Sequence, residues 1–234
     1  MKNIAIIPAR GGSKRIPKKN IKNFLGKPII AYSIETALQS GLFDEVMVST
    51  DDSDIAKIAL QYGAKVPFLR SKQTADDFAV LTDVLTEVLH NYQKVNKYFD
   101  HVCCILPTAP FINSYDVTKA YNKLIRGNFD TVFPVVRYSF PIQRAMQFDG
   151  DHVKMIWPEN IHKRSQDLKS SFHDAGLFYW AKTGVILTQK KLWTDNTSAI
   201  EINEQKAHDI DTIEDWKIAE LKYKILYGSN EKNL

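Results

Sequence analysis

The chain is predicted to fold as an α/β protein built on a largely parallel sheet. Three observations lead to that class. Short apolar runs alternate with segments of helical periodicity, and the intervening helices of roughly 10–18 residues suit right-handed crossovers between parallel strands. The first apolar run, Ile4–Ile7, carries no polar residue, as a strand covered on both faces requires. That run opens at once into a glycine-containing loop, and ligands of doubly wound sheets bind beyond the carboxyl ends of the strands.

The elements follow in order. After the strand Ile4–Ile7, Pro28–Gln39 places Ile30, Ile34, Ala37 and Leu38 at helical spacing and meets Gly41, a C-cap signal. Glu45–Ser49 is a strand leading into Thr50-Asp51-Asp52-Ser53, which offers several N-caps for a helix at about 53–62 that stops at Gly63. Lys65–Leu69 reads as a third short strand, and Phe78–Val95 as a long helix with Leu81, Val84, Leu85, Val88 and Leu89 on one face. His101–Leu106 is a strongly apolar strand. Ser114 is expected to cap a helix reaching about Arg126, and Thr131–Val136 is another strand. Residues 143–157 form two extended runs around Asp149-Gly150-Asp151, a β-hairpin that leaves the main sheet. Its Met, Phe, Ile and Trp side chains suit either a dimer contact or packing on its own domain. Ala175–Ala181 and Ile200–Glu201 are strands, and Thr212–Tyr227 is an amphipathic helix opened by a capping pattern. The polar tail 228–234 is expected to fray.

A length of 234 residues suits one domain, 1–234, with 44% hydrophobic and 25% charged residues to form an ordinary core. A net charge of +4 lacks the basic excess of a nucleic-acid binder. The positive charge gathers at the 8–20 loop and at 163–169, which favours a small anionic ligand. Cys103 and Cys104 are adjacent in a strand and point to opposite faces, so they read as core residues and as neither a metal pair nor a disulfide. No signal peptide precedes the first strand and no apolar run is long enough to span a membrane. A cytoplasmic, soluble protein with neither membrane nor nucleic-acid partner is expected.

The chemistry is expected at the strand ends: the 8–20 loop, Ser49–Asp52, Arg70–Asp77, Pro107–Phe111 and His208–Asp211. The loop carries five cations, Arg10, Lys14, Arg15, Lys18 and Lys19, which match a polyphosphate. Gly11 and Gly12 free the backbone to adopt positive φ and to approach a ligand closely, with their N–H groups expected to point inward as phosphate donors. Neither the Walker A pattern nor the dinucleotide fingerprint is present. Asp209 and Asp211, at i and i+2 of an extended segment, point to one side and suit Mg²⁺ together with phosphate oxygens. The competing reading makes Asp211 a helix cap and leaves Asp209 solvated. A second cluster, Lys163–Asp167 and His173–Gly176, offers the Arg164 fork to a carboxylate or phosphate, or forms a charged surface turn. Asp174 suits a sugar hydroxyl or amide, while His173 and His208 are more simply structural.

Taken together, I-P-A-R-G-G-S-K-R-I-P-K-K-N (7–20), V-S-T-D-D (48–52), L-P-T-A-P-F (106–111) and D-I-D-T-I-E-D-W (209–216) resemble the cytidylyltransferases that activate eight- and nine-carbon ulosonic acids as CMP-sugars. The runs R-S-Q-D-L (164–168) and H-D-A-G-L-F-Y-W (173–180) are most similar to the pseudaminic acid branch. The resemblance implies a Rossmann-like nucleotidyltransferase fold, dimeric through an inserted region at about 138–172. It implies that Arg10, Ser13, Lys14 and Lys19 in the Gly11-Gly12 loop hold the CTP phosphates. Asn20 and Arg70 would be further nucleotide contacts, with the base read by backbone near Ala9 and Arg10. Asp209 and Asp211 would hold Mg²⁺. Leu106, Thr108, Arg164, Gln166, His173 and Asp174 would face the sugar acid, and Arg10, Lys14, Lys19 and Asp211 would act in the chemistry. Leu106 and Ile112 stand where sialic-acid relatives carry Gln and Arg, which points away from sialic acid. The implied reaction is in-line attack of the anomeric hydroxyl on the α-phosphate of CTP, releasing pyrophosphate. Its rivals are a synthetase for legionaminic, N-acetylneuraminic or 3-deoxy-octulosonic acid, and a nucleotide- or RNA-binding module without turnover. The paired Asp209 and Asp211 and the modest charge argue against the last.

Overall fold

The structure is a computed structural model that describes residues 1–76 and 79–228. The strands, in chain order, are β1 (Asn3–Pro8), β2 (Asn23–Phe24), β3 (Lys27–Pro28), β4 (Glu45–Ser49), β5 (His101–Ile105), β6 (Thr131–Arg137), β7 (Met146–Asp149), β8 (His152–Met155), β9 (Phe172–Asp174), β10 (Phe178–Lys182) and β11 (Thr197–Glu201). The helices are α1 (Ile29–Ser40), α2 (Ser53–Gln61), α3 (Lys72–Ala75), α4 (Leu81–Lys94), α5 (Ser114–Arg126), α6 (Thr183–Gln189) and α7 (Ile213–Tyr227).

The main sheet runs β11-β6-β10-β5-β1-β4, with β9 joined to β6. β1 pairs parallel with both β4 and β5, and β11 parallel with β6. β10 runs antiparallel between β5 and β6, so the sheet is mixed but mainly parallel. The two faces are covered by different residues of the same strands. Ile4 and Ile6 pack with Leu85, Val88 and Tyr92 of α4, whereas Ala5 and Ile7 pack with Ile30 and Ile34 of α1 and the Val117 face of α5. The continuous apolar character of Ile4–Ile7 has this cause. Cys103 and Cys104 divide between the two faces as their adjacency predicts, and burial pushes the Cys104 thiol up to about 12. Both are inert core residues.

Local signals explain most boundaries. α1 stops at Gly41, whose φ of 65° is the left-handed conformation a C-cap needs. Asp52 caps α2 by accepting from the N–H groups of Asp54 and Ile55. Asp149 faces His152 across a two-residue turn whose first member, Gly150, has φ 62°, a hairpin turn matched to strand twist.

Other expectations need correction. Lys65–Leu69 makes only a single bridge, Met47 to Lys65; Pro67 has no N–H to continue a ladder. Asn113 caps α5 in place of Ser114, accepting from the Asp116 N–H. The expected strand Ala175–Ala181 starts later, as β10 at Phe178, because Gly176 at φ 63° breaks the run; the residues just before it, Phe172–Asp174, form the separate strand β9. The short helices α3 and α6 carry too little periodicity to be read from sequence. The expected helix start at Phe78, the end of the segment Arg70–Asp77, and the tail 229–234 fall outside the described residues. Among the described residues, no helix is long and apolar enough to cross a membrane.

His101, buried at the start of β5, sets a pH dependence. Its Nδ1 lies 3.2 Å from Asn3 Oδ1, and desolvation lowers its pKa below the ordinary histidine value. The unfolded chain therefore binds the proton more readily, so this contribution to stability is complete above the ordinary value and is lost as pH falls through the folded one. Denaturant unfolding at pH 7.5 and 5.5 should show lower stability at the acid pH, and His101→Gln should flatten that difference.

Candidate active site

A third apolar cluster lies beside the sheet and decides where the charged residues go. Ile16 from the basic loop and Ile210 from between the two aspartates are both buried in it, with Phe24, Ile29, Phe111 and Trp216. Ile210 points inward, so Asp209 and Asp211 must point outward in an extended segment. Thr212 and Asp215 then form a reciprocal capping box at the start of α7. Asp215 also accepts from the Asp211 N–H, and these hydrogen bonds hold its carboxyl below the usual range. The reading of Asp211 as the cap is thereby corrected: Thr212 does that work, and the Asp211 side chain turns into the cleft.

The cleft, about 380 Å³, lies at the carboxyl ends of β1 and β5, lined by Pro8, Arg10, Ser13, Lys14, Arg15, Lys19, Asn20, Pro107, Thr108 and Asp211. Lys19 reaches it from a short 3-10 turn that follows Lys18, a residue at φ 52°. The Lys19 ammonium donates to the Ile210 carbonyl at 2.6 Å and stands 3.6 Å from Asp211 Oδ1. The Arg15 guanidinium donates to the same Asp211 oxygen at 2.8 Å. Arg10 donates to the Asp76 carbonyl at 2.7 Å, and its own carbonyl accepts from buried Asn20 at 2.9 Å. Cations from one end of the chain and a carboxylate from the other thus share one wall.

The glycines act differently from expectation. Neither Gly11 nor Gly12 has positive φ. Gly11 is required for close approach, since a Cβ there would lie 2.8 Å from the Asp52 carboxylate. Its N–H donates to Asp51 Oδ1 at 2.9 Å, so Asp51, within the Ser49–Asp52 segment expected at the site, holds the loop against the end of β4. The Ala9 N–H is likewise committed to the Ser49 carbonyl at 2.9 Å.

The remaining candidates divide. Thr108 lines the cleft. Leu106 is partly buried between the two sheet cores, its carbonyl accepting from Ser33 at 2.7 Å. Arg70 lies outside the lining, buried, with its guanidinium on the side-chain and backbone oxygens of Ser49 at 3.1 and 2.7 Å, and burial lowers its pKa. Asp174 accepts from the Gly176 N–H at 2.8 Å and from the Tyr179 hydroxyl at 2.7 Å. Burial, then Asp174, raise the Tyr179 pKa, and Asp209 adds to the effect from nearby, so Tyr179 stays a donor. His173 Nδ1 lies 2.9 Å from the Asp174 carbonyl. Arg164 and Gln166 are exposed and outside the main cleft: Arg164 forks onto Asp167 at 2.8 and 3.2 Å, and Gln166 lines a second cavity of about 410 Å³ with Tyr138, Phe140 and Lys169.

Among the described residues, no group of three or more His, Cys, Asp or Glu side chains is placed to hold a metal. The hard oxygen donors of Asp209 and Asp211 fit Mg²⁺ only as a partial set completed by phosphate oxygens and water, which is how Mg²⁺ is commonly bound.

An α/β sheet of this order, with a cationic loop facing carboxylates at the strand ends, defines a nucleotidyltransferase. The cytidylyltransferase family model matches residues 4–223, and the chain belongs to that family. It is 44% identical to the pseudaminic acid cytidylyltransferase of Campylobacter jejuni, over 98% of this chain and 99% of that protein. It is 34% identical to the CMP-N,N'-diacetyllegionaminic acid synthase of Legionella pneumophila, over 94% and 95%. A CMP:2-keto-3-deoxy-manno-octonic acid synthetase solved with CTP shares the fold at a TM-score of 0.69 and 19% identity, covering 97% of this chain and all of that one.

The buried Ile210 should matter twice. Ile210→Ala is expected to cost about 2–5 kcal/mol in denaturant unfolding. At temperatures where the variant stays folded, it should also weaken CTP binding in calorimetry, because the carbonyl that fixes Lys19 moves with it.

Proposed function

We propose that this cytidylyltransferase couples CTP to pseudaminic acid, giving the CMP-sugar and pyrophosphate. The observation that carries the reading is the meeting of Lys19 and Arg15 with Asp211 in one cleft, in a chain 44% identical along its length to a protein named for that substrate. Leu106 and Ile112 favour it over sialic acid, since both are apolar and contribute to the sheet core. We place it in the cytoplasm, where CTP is available to it.

The residues divide the work. Arg10, Ser13, Lys14 and Lys19 bind the phosphates, with Lys19 held at its post by the Ile210 carbonyl. Asp209 and Asp211 hold Mg²⁺, which when bound supplies charge neutralisation at the transferring phosphate. Asp174, its carboxylate oriented by Tyr179 and Gly176, faces the sugar. The anomeric hydroxyl oxygen forms a bond to the α-phosphorus and loses its proton to water, as the bond from the α-phosphorus to the bridging oxygen breaks and pyrophosphate leaves. Positioning and electrostatics, more than covalent catalysis, carry such a transfer.

The protein acts as a homodimer through the β7–β8 excursion. Phe148 and Phe140 are 82% and 84% exposed, and Met146, Val153 and Ile161 continue the apolar surface. A monomer rarely leaves so many large apolar side chains together in water. In sedimentation equilibrium, Phe148→Asp should shift the population from dimer to monomer.

Pyrophosphate release with CTP and Mg²⁺ against pseudaminic, legionaminic, N-acetylneuraminic and 3-deoxy-octulosonic acids tests the substrate. Turnover confined to pseudaminic acid is expected; preference for another acid would move the specificity and keep the mechanism. Lys19→Ala and Asp211→Asn should each lower kcat by about 10²–10³ while the circular dichroism spectrum is unchanged. Near-normal turnover of Asp211→Asn at saturating Mg²⁺ would sink its metal role.

A further inference from the structure

We infer that Arg15 is a displaceable counter-cation: in the nucleotide-free protein it occupies the Asp211 carboxylate, and it exchanges that partner for the triphosphate when CTP and metal arrive. The inference rests on the Mg²⁺ role of Asp211 proposed above. Two cations share Asp211, and they are held very differently. Lys19 is only 19% exposed and is fixed at a second point by the Ile210 carbonyl. Arg15 is 66% exposed, and among the described residues Asp211 is its one side-chain partner. An exposed ion pair of this kind is weak and opens readily.

Both groups compete for one atom. Arg15 contacts Asp211 Oδ1, the oxygen that Lys19 also faces. A divalent cation on that carboxylate cannot tolerate a guanidinium in hydrogen-bond contact with the same oxygen, because the two positive charges would sit within a few ångströms of each other. Arg15 must leave, and it has somewhere to go. It lines the same cleft as Ser13, Lys14 and Lys19, and the guanidinium fork suits two phosphate oxygens. Its neighbour Ile16 is buried, so the backbone stays put while the side chain swings.

The consequence is coupling. The nucleotide-free protein binds a divalent cation poorly, because Arg15 already neutralises the carboxylate. CTP removes Arg15 from Asp211 and so favours the metal, and by linkage the metal favours CTP to the same degree.

The test uses Mn²⁺ alone as probe, with free Mn²⁺ measured by electron paramagnetic resonance on the whole protein without nucleotide. Arg15→Gln should bind Mn²⁺ about threefold to tenfold more tightly than wild type, with the effect shrinking as salt is raised. Arg15→Lys, which keeps the charge, should restore most of the wild-type weakness, and Asp211→Asn should bind more weakly than any of them. The same dissociation constant for Arg15→Gln and wild type, with Asp211→Asn weakened, would overturn the counter-cation and leave the metal role of Asp211 standing. Identical behaviour of all four proteins would remove that metal role as well. Circular dichroism confirms that each variant, changed at an exposed or half-exposed position, remains folded.

Discussion

The burial of Ile16 and Ile210 in one small apolar cluster is the constraint on which the site depends. These residues lie near opposite ends of the chain, yet both are essentially inaccessible to water and both pack among Phe24, Phe111 and Trp216. Each carries charged neighbours that then face the cleft: Arg15 and Lys19 on one side, Asp211 on the other. Burial of an isoleucine side chain contributes about 1.5–3 kcal/mol, whereas an exposed ion pair contributes about 0–1 kcal/mol. The apolar cluster therefore sets the geometry, and the ion pairs across the cleft follow from it. This division leaves the charged groups available to exchange partners with a ligand without loosening the fold.

The sheet supplies the second half of the arrangement. β1 and β5 are adjacent and parallel, so the loop after β1 and the Pro107–Thr108 segment after β5 open at the same edge. Against that edge, Asp51 and Asp52 at the end of β4 press on Gly11, one by hydrogen bond and one by steric contact. The loop is thus closed by carboxylates on its sheet side and presents its cations on the other. Reversal of β10 between β5 and β6 adds the break at Gly176, which lets Asp174 fold back onto Tyr179 near Asp209. A smooth strand would have sent alternate side chains to opposite faces and kept these groups apart.

Membership of the cytidylyltransferase family joins this geometry to nucleotide transfer, and the excursion carrying β7 and β8 stands apart from it. Among the described residues its strands pair only with each other, and both are largely exposed. Arg164 and Gln166 sit on the segment that returns from it, away from the main cleft of this protomer. Residues whose motif resembles a sugar site thus lie on the segment that follows an element with exposed Met146, Phe148 and Val153, the surface on which the dimer proposed above rests.

Local and repetitive features of the chain were sufficient for most of the architecture. The uninterrupted Ile4–Ile7 run, the Gly41 stop, the Asp52 cap and the Thr212 capping pattern each act within a few residues, so their consequences can be read without knowing what lies elsewhere. The basic loop and the alternating Asp209-Ile210-Asp211 were legible for the same reason. Contacts between distant segments were not. That the Asp211 side chain turns into the cleft, that Gly11 is needed for its approach to Asp52 rather than for positive φ, and that Arg15 meets Asp211 all depend on which surfaces the core brings together. Lys65–Leu69 failed as a strand and the strand expected from Ala175 began only at Phe178 because strand pairing is a property of neighbours, to which Pro67 offers no N–H and Gly176 no regular backbone. Chain chemistry alone thus determined which groups are available, while tertiary packing, driven by burial of residues such as Ile16 and Ile210, decided which of them share one cleft.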